Sequence, residues 1–117
     1  MELVIDVETT TFNKGNPFDK RNDMVLCGSF DGRTYNICNR YSSSQEFGDS
    51  LLIGFNLKFD LHWLRRLGYE LPANFRCWDA QLVHFILTGQ EKPYPSLNDV
   101  AHYYSLGSKL DTVDTEY

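Results

Sequence analysis

The 117-residue sequence is short of cysteine, of proline and of net positive charge, and it contains no long apolar run. Its three cysteines, Cys27, Cys38 and Cys77, are odd in number and widely spaced, with no Cys-x-x-Cys and no nearby histidine pair. That pattern argues against a disulfide framework and against a zinc site, and it points to a reducing, intracellular setting. No stretch approaches the roughly 20 apolar residues of a membrane span. Met1 leads straight into a strand-like run instead of the charged start of a signal region. Eleven basic residues against sixteen acidic ones leave a net charge of -5, which excludes a module that grips nucleic acid by bulk charge. A metal-dependent nuclease is not excluded, because clustered carboxylates are what such a site needs and its cations reverse the local sign.

What is present suits one packed domain over residues 1–117: 42% hydrophobic and 15% aromatic content. The organising stretch is Leu3-Val4-Ile5-Asp6-Val7-Glu8-Thr9-Thr10. Side chains alternate across an extended strand, so Val4, Asp6 and Glu8 share one face and Leu3, Ile5 and Val7 the other. Two like charges about 4 Å apart repel by about 4 kcal/mol at an effective dielectric near 20. The pair therefore calls for a cation or a proton, unless the strand end simply frays into a solvated acidic turn.

Residues 12–23 hold Asn13, Gly15, Asn16, Pro17, Asp19 and Asn22 and read as a loop at the rim of the acids. Lys14, Lys20 and Arg21 give that loop positive charge, suited either to a phosphate backbone or to plain solvation. Met24 to Phe30 and Thr34 to Cys38 flank Asp31-Gly32 and predict an antiparallel hairpin. With a two-residue turn, Phe30 pairs with Arg33 and Cys27 faces Asn36. Ser43 or Ser44 is a candidate cap for a short helix from Gln45 to Asp49. Leu51 to Phe55 reads as a buried strand, followed at once by a helix over Leu57 to Leu67.

In that helix Leu57, Leu61 and Leu64 repeat at helical spacing, and Asp60 falls at the margin of their apolar stripe. An ionised acid there is expensive without a metal, a cation or hydrogen-bond donors. Arg65 and Arg66 lie off its face by spacing, and Arg66 and Lys58 are left for solvent or substrate. Asn56 is equally a helix cap and a candidate contact. For His62 and Trp63, ordinary packing is at least as good a reading as any function.

These residues resemble a known family. Val4-Ile5-Asp6-Val7-Glu8-Thr9-Thr10 is similar to the first motif, and Gly54-Phe55-Asn56-Leu57-Lys58-Phe59-Asp60 to the second, of the DEDD 3'-5' exonucleases, the proofreading domains of DNA polymerases and their RNA-trimming relatives. Cys77 to Leu82 and Ser96 to Ala101 resemble the segment after the second motif in family A, bacteriophage-type polymerases. The resemblance implies an RNase H-like α/β fold, a mixed sheet with flanking helices. It implies two-metal hydrolysis of the 3'-terminal phosphodiester of single-stranded DNA with Mg2+ or Mn2+. Asp6 would bridge both ions, with Glu8 on one and Asp60 on the other; Thr9, Thr10 and Asn56 would contact the terminal nucleotide, and Phe59 would either pack against a base or brace the helix. The compartment would be the cytoplasm, that of a host cell if the source is viral. An RNA-trimming exonuclease and a non-catalytic scaffold or docking module on the same fold are the rival readings.

Further on, Asp79 is expected to cap a helix over Ala80 to Leu87 in preference to binding a metal, with Leu82, Val83, Phe85, Ile86 and Leu87 largely buried. Ser96-Leu97-Asn98-Asp99 is a capping-box pattern that opens a short helix through Val100, Ala101 and Tyr104. The family's third motif, an Asp preceded by a water-orienting Tyr or His, has no match: Tyr94 with Asp99 comes too early, and His102, Tyr103, Tyr104, Asp111 and Asp114 fit neither spacing. The expectation is a domain truncated at its C-terminus, the fourth acid coming from a downstream polymerase polypeptide. The face left bare would promote a homodimer.

Overall fold

A computed structural model describes residues 2–38, 50–69, 71 and 74–107. The expected helix over Gln45 to Asp49 and its serine cap lie outside these residues. The chain divides into two compact units, Met1–Ala80 and Gln81–Tyr117. No helix among the described residues is long and apolar enough to cross a membrane.

The first unit is a five-stranded mixed sheet with a helix packed on it. Strand β1 (Glu2–Thr9) is followed by a loop containing a tight turn at Phe12–Gly15, then β2 (Met24–Phe30), β3 (Tyr35–Cys38), β4 (Leu51–Gly54), helix α1 (Leu57–Arg66) and β5 (Arg76–Asp79). The spatial order is β3-β2-β1-β4-β5. β1 runs antiparallel to β2 and parallel to β4, β2 is antiparallel to β3, and β4 is parallel to β5. The alternation of β1 is as the sequence predicts: Leu3, Ile5 and Val7 are buried, while Val4 and Asp6 are exposed and Glu8 is half-buried. The buried side meets Leu52 from β4, Cys27 from β2 and Leu57, Trp63 and Leu64 from α1. At roughly 1.5–3 kcal/mol for each fully buried large apolar side chain, this face drives the folding of the unit. The opposite face carries exposed Val4, Phe30, Tyr35, Ile37 and Trp78, placed on one side by the pairings Val4 with Phe30, Phe30 with Tyr35, Gly28 with Ile37, Val4 with Ile53 and Ile53 with Trp78.

The hairpin is present, but its register differs from the one predicted. Phe30 pairs with Tyr35, Ser29 with Asn36 and Cys27 with Cys38, so the loop has four residues, not two. The cause is Asp31, whose Oδ1 accepts 2.8 Å hydrogen bonds from the backbone N–H groups of both Arg33 and Thr34. An Asp that satisfies two successive donors stabilises the wider turn.

The second unit contains α2 (Ala80–Leu87), which begins at the boundary, and α3 (Leu97–Tyr103). Ser96 caps α3 by accepting from Asp99 N–H at 3.0 Å, as its sequence predicts. The expected burial of α2 does not hold. None of its residues is buried, and Leu82, Ile86 and Leu87 are exposed. The segment is apolar on nearly every side, and a single neighbouring element can cover only one stripe of a helix.

Candidate acidic site on the first strand

Two backbone features bring α1 to β1. Gly54 ends β4, and a Cβ there would stand 2.6 Å from Leu57 Cδ1 and 3.5 Å from the carbonyl oxygen of Ile5. A larger residue there would require the buried Leu57 side chain to move. Asn56 then turns the chain with a left-handed backbone, φ 57° and ψ 52°, and its side chain makes no cap. The cap comes from elsewhere: Asp79, at the end of β5, accepts from Asn56 N–H at 3.0 Å through Oδ1 and from Leu57 N–H at 2.9 Å through Oδ2. The sequence assigns Asp79 to the helix that follows it. The structure shows that this carboxylate satisfies two of the open donors of α1, where the helix dipole also favours a negative charge.

This start delivers Asp60, on the first turn of α1, to the middle of β1. Its Oδ1 accepts a 2.8 Å hydrogen bond from Val7 N–H, the backbone donor between Asp6 and Glu8. The ladder from β1 to β4 ends at the pair Val4 with Ile53, so the carboxylate takes over where β4 no longer supplies acceptors. Asp60 is only 3% exposed. Burial raises its pKa from 3.8 to about 7, with the negative charges of Asp6 and Glu8 adding to the rise and the Val7 N–H opposing it. On the scale of about 1.4 kcal/mol per pKa unit, an ionised Asp60 costs the fold on the order of 4 kcal/mol. The three acids thus interact electrostatically, with two on the outward face of the strand and one from the helix behind it. No group of three His, Cys, Asp or Glu side chains among the described residues is gathered closely enough to cage a metal ion.

The loop at the rim is wired into the core. Asn22 is fully buried. Its Nδ2 donates to the carbonyls of Phe12 (2.6 Å) and Asn16 (3.0 Å), and its Oδ1 accepts from the Thr10 hydroxyl at 2.9 Å. The same Thr10 oxygen accepts from Asp23 N–H at 2.9 Å. Trp63 Nε1 donates to the Gly15 carbonyl at 2.9 Å. Arg66 donates to the carbonyls of Pro17, Asp19 and Asn22 while its guanidinium lies 4.7 Å from the Trp63 ring centre. Arg66 therefore clamps the loop through three carbonyls while remaining exposed to solvent. Arg21 pairs with Asp19 at 2.8 Å, which holds the Asp19 carboxyl at about 2, and it stacks on Phe12.

Of the residues predicted to touch substrate, Thr9 and Phe59 come together: a Cβ on Gly15 would stand 2.8 Å from Thr9 Oγ1 and 3.2 Å from Phe59 Cζ. Thr10 is engaged inside the loop, and Asn56 is exposed at the start of α1. Asn22 and the Asp79 cap were not legible beforehand, since one Asn among several in a loop carries no pattern and a cap from a different strand leaves no local spacing. β1 and β2 also lose register between Glu8 and Thr9, a bulge of the kind that re-aims side chains beside sites. In comparisons with known proteins, no family model matches the chain and no curated protein sequence matches it.

Proposed function

We propose that this chain is the 3'-5' exonuclease module of a DNA polymerase, acting on the 3' end of single-stranded DNA through Asp6, Glu8 and Asp60. The observation that carries the reading is the hydrogen bond from Val7 N–H to a buried Asp60, which ties the second acidic motif to the strand position between the two acids of the first. An acid with its pKa pushed to about 7 by burial, beside two other acids, costs the fold stability when ionised, and perturbed carboxylates of this kind cluster at functional sites. The strand order, with an antiparallel β1-β2-β3 hairpin series and parallel β1, β4 and β5, is compatible with an RNase H-like sheet.

Hard divalent cations take carboxylate oxygens, so Asp6, Glu8 and Asp60 are the residues that would hold Mg2+ or Mn2+, and they would have to draw together to do so, since the described residues do not gather them into a cage. When bound, such ions supply charge neutralisation and activation of water at the scissile phosphate. The chain's own residues do the positioning. Asp79 and Gly54 fix the start of α1, Val7 N–H orients Asp60, and Thr9 and Phe59 line the approach beneath the rim loop. The exposed apolar face with Val4, Phe30, Tyr35, Ile37 and Trp78 favours a second reading, a non-catalytic docking module that self-associates through that face.

The test is calorimetric titration of Mn2+ into the chain and its Asp6→Ala variant, with digestion of 3'-labelled single-stranded DNA and RNA on the same samples. Uptake by the wild type that is lost in the variant, with release of label from DNA, is the expected result. Equal and poor uptake by both, with no cleavage, would replace the enzyme by the docking module; preferential RNA cleavage would reassign the substrate.

A further inference from the structure

Among the cations of the rim loop, Lys14 and Lys20 are both exposed with no side-chain partner among the described residues, and of the two Lys14 is the one adjoining Gly15, which packs against Thr9 and Phe59. Arg21 is paired with Asp19 and stacked on Phe12, and Arg66, which reaches in from α1, is held by three loop carbonyls. Lys14 is exposed and its side chain makes no hydrogen bond or ion pair with a described residue. Its backbone is held in the left-handed region at φ 57°, between Asn13 at φ 49° and Gly15 at φ 79°. Two consecutive non-glycine residues in that region cost on the order of 1 kcal/mol or more each, and they persist only where the surroundings impose them. Here the surroundings do: the buried Trp63 indole holds the Gly15 carbonyl and the buried Asn22 amide holds Phe12 and Asn16. The strained turn is thus fixed next to Thr9 and Phe59, the neighbours in sequence of Glu8 and Asp60.

We infer that Lys14 is a substrate-binding residue that contacts a backbone phosphate of single-stranded DNA as its 3' end enters the acidic site. The inference rests on the exonuclease reading and adds to it a residue that lies outside both acidic motifs. The chemistry demands such a group. A polyanion approaching a chain of net charge -5 needs a local cation, and a lysine acts on a phosphate as a point charge without selecting sequence. Lys20 supplies an internal control. It lies in the segment held by Arg66 at the far end of α1, and Arg66 is six residues beyond Asp60, about 9 Å along the axis at about 1.5 Å per residue.

The experiment is fluorescence anisotropy of the full chain with a 5'-labelled single-stranded DNA oligonucleotide in chelator, where no cleavage occurs, over a series of salt concentrations. Wild type, Lys14→Gln, Lys14→Arg and Lys20→Gln are compared, with thermal melts to show that all four are folded. Lys14→Gln is expected to weaken binding about 3- to 10-fold on every sequence and to lower the salt slope by about 0.7, the value for one phosphate contact on a single strand. Lys14→Arg stays within about twofold of wild type, and so does Lys20→Gln. Equal weakening by Lys14→Gln and Lys20→Gln would overturn the assignment, because it would show general charge and not a placed contact. Cleavage of DNA by a Lys14→Gln chain that binds like wild type would overturn Lys14 alone and leave the exonuclease reading standing. Lys14-dependent binding by a chain that takes up no Mn2+ and cuts nothing would do the reverse. A wild-type chain that binds no DNA would sink both.

Discussion

The two faces of β1 are built from the same eight residues and do opposite things. On one side Leu3, Ile5 and Val7 disappear beneath α1; on the other Val4, Asp6 and Glu8 meet solvent beside exposed aromatic residues of the neighbouring strands. The packed face is self-sufficient, since Leu52, Leu57, Trp63 and Leu64 close it without outside help. The outward face is not, and its acids add to the cost of ionising a third that the packed side brings toward them. The packed core and the candidate acidic site are thus segregated by a period of two residues. They meet at one hydrogen bond, from Val7 N–H to Asp60.

The two tryptophans give the strongest test of that segregation. Trp63 is 0% exposed on the packed face and Trp78 is 51% exposed on the other. Trp63→Ala is expected to cost about 3–5 kcal/mol, enough to unfold much of the population, because it removes a core side chain and the donor that holds the rim loop. Trp78→Ala should stay within about 1 kcal/mol. Urea denaturation of both variants measures the difference, and comparable losses would mean that the outward face is covered in solution.

Next in size is the effect of the buried acid. Asp60 has a folded-state pKa raised to about 7, so the folded state holds its proton more tightly than the unfolded chain does. Its favourable contribution is complete below about pH 4 and is lost as the pH rises through about 7. In metal-free buffer the wild type should therefore lose up to about 4 kcal/mol of stability across that window. Asp60→Asn keeps an acceptor for Val7 N–H and carries no charge. It should be the more stable protein at pH 8 and should lose this component of the pH dependence, while Mn2+ uptake falls. Denaturation at pH 5 and pH 8 with and without Mn2+ checks each part, and a variant less stable than wild type at pH 8 would contradict the assignment.

The smallest expected effect concerns the frame that places Asp60. Asp79→Ala removes the acceptor of the Asn56 and Leu57 N–H groups and should cost about 1–2 kcal/mol, as helix caps do. If the position of α1 matters to the site, Mn2+ affinity falls along with stability; an unchanged affinity would show that Gly54 and the core suffice to hold it.

Much of this was legible in the sequence because it is local. Period-two alternation named the buried and exposed residues of β1, helical spacing found α1 and placed Asp60 on its apolar margin, and the Ser96 to Asp99 box marked the start of α3. The hairpin shows where locality ends. Asp31-Gly32 signals a turn, but whether it closes over two residues or four depends on what the Asp31 carboxylate bonds, and that changed every pairing from Phe30 to Cys38. The apolar pattern of α2 was likewise correct as a helix and misleading as a burial.

The sequence by itself determined which residues are extended, which are helical and which two acidic motifs exist, since backbone preference and side-chain period are properties of neighbours in the chain. Only the tertiary structure decided that Asp60 reaches the backbone between Asp6 and Glu8, that Asp79 caps a helix 22 residues before it, and that Asn22, Trp63 and Arg66 hold the rim loop with Lys14 upon it. Those contacts join residues tens of positions apart, and their energy comes from desolvation and hydrogen bonding that exist only once the sheet and α1 have packed.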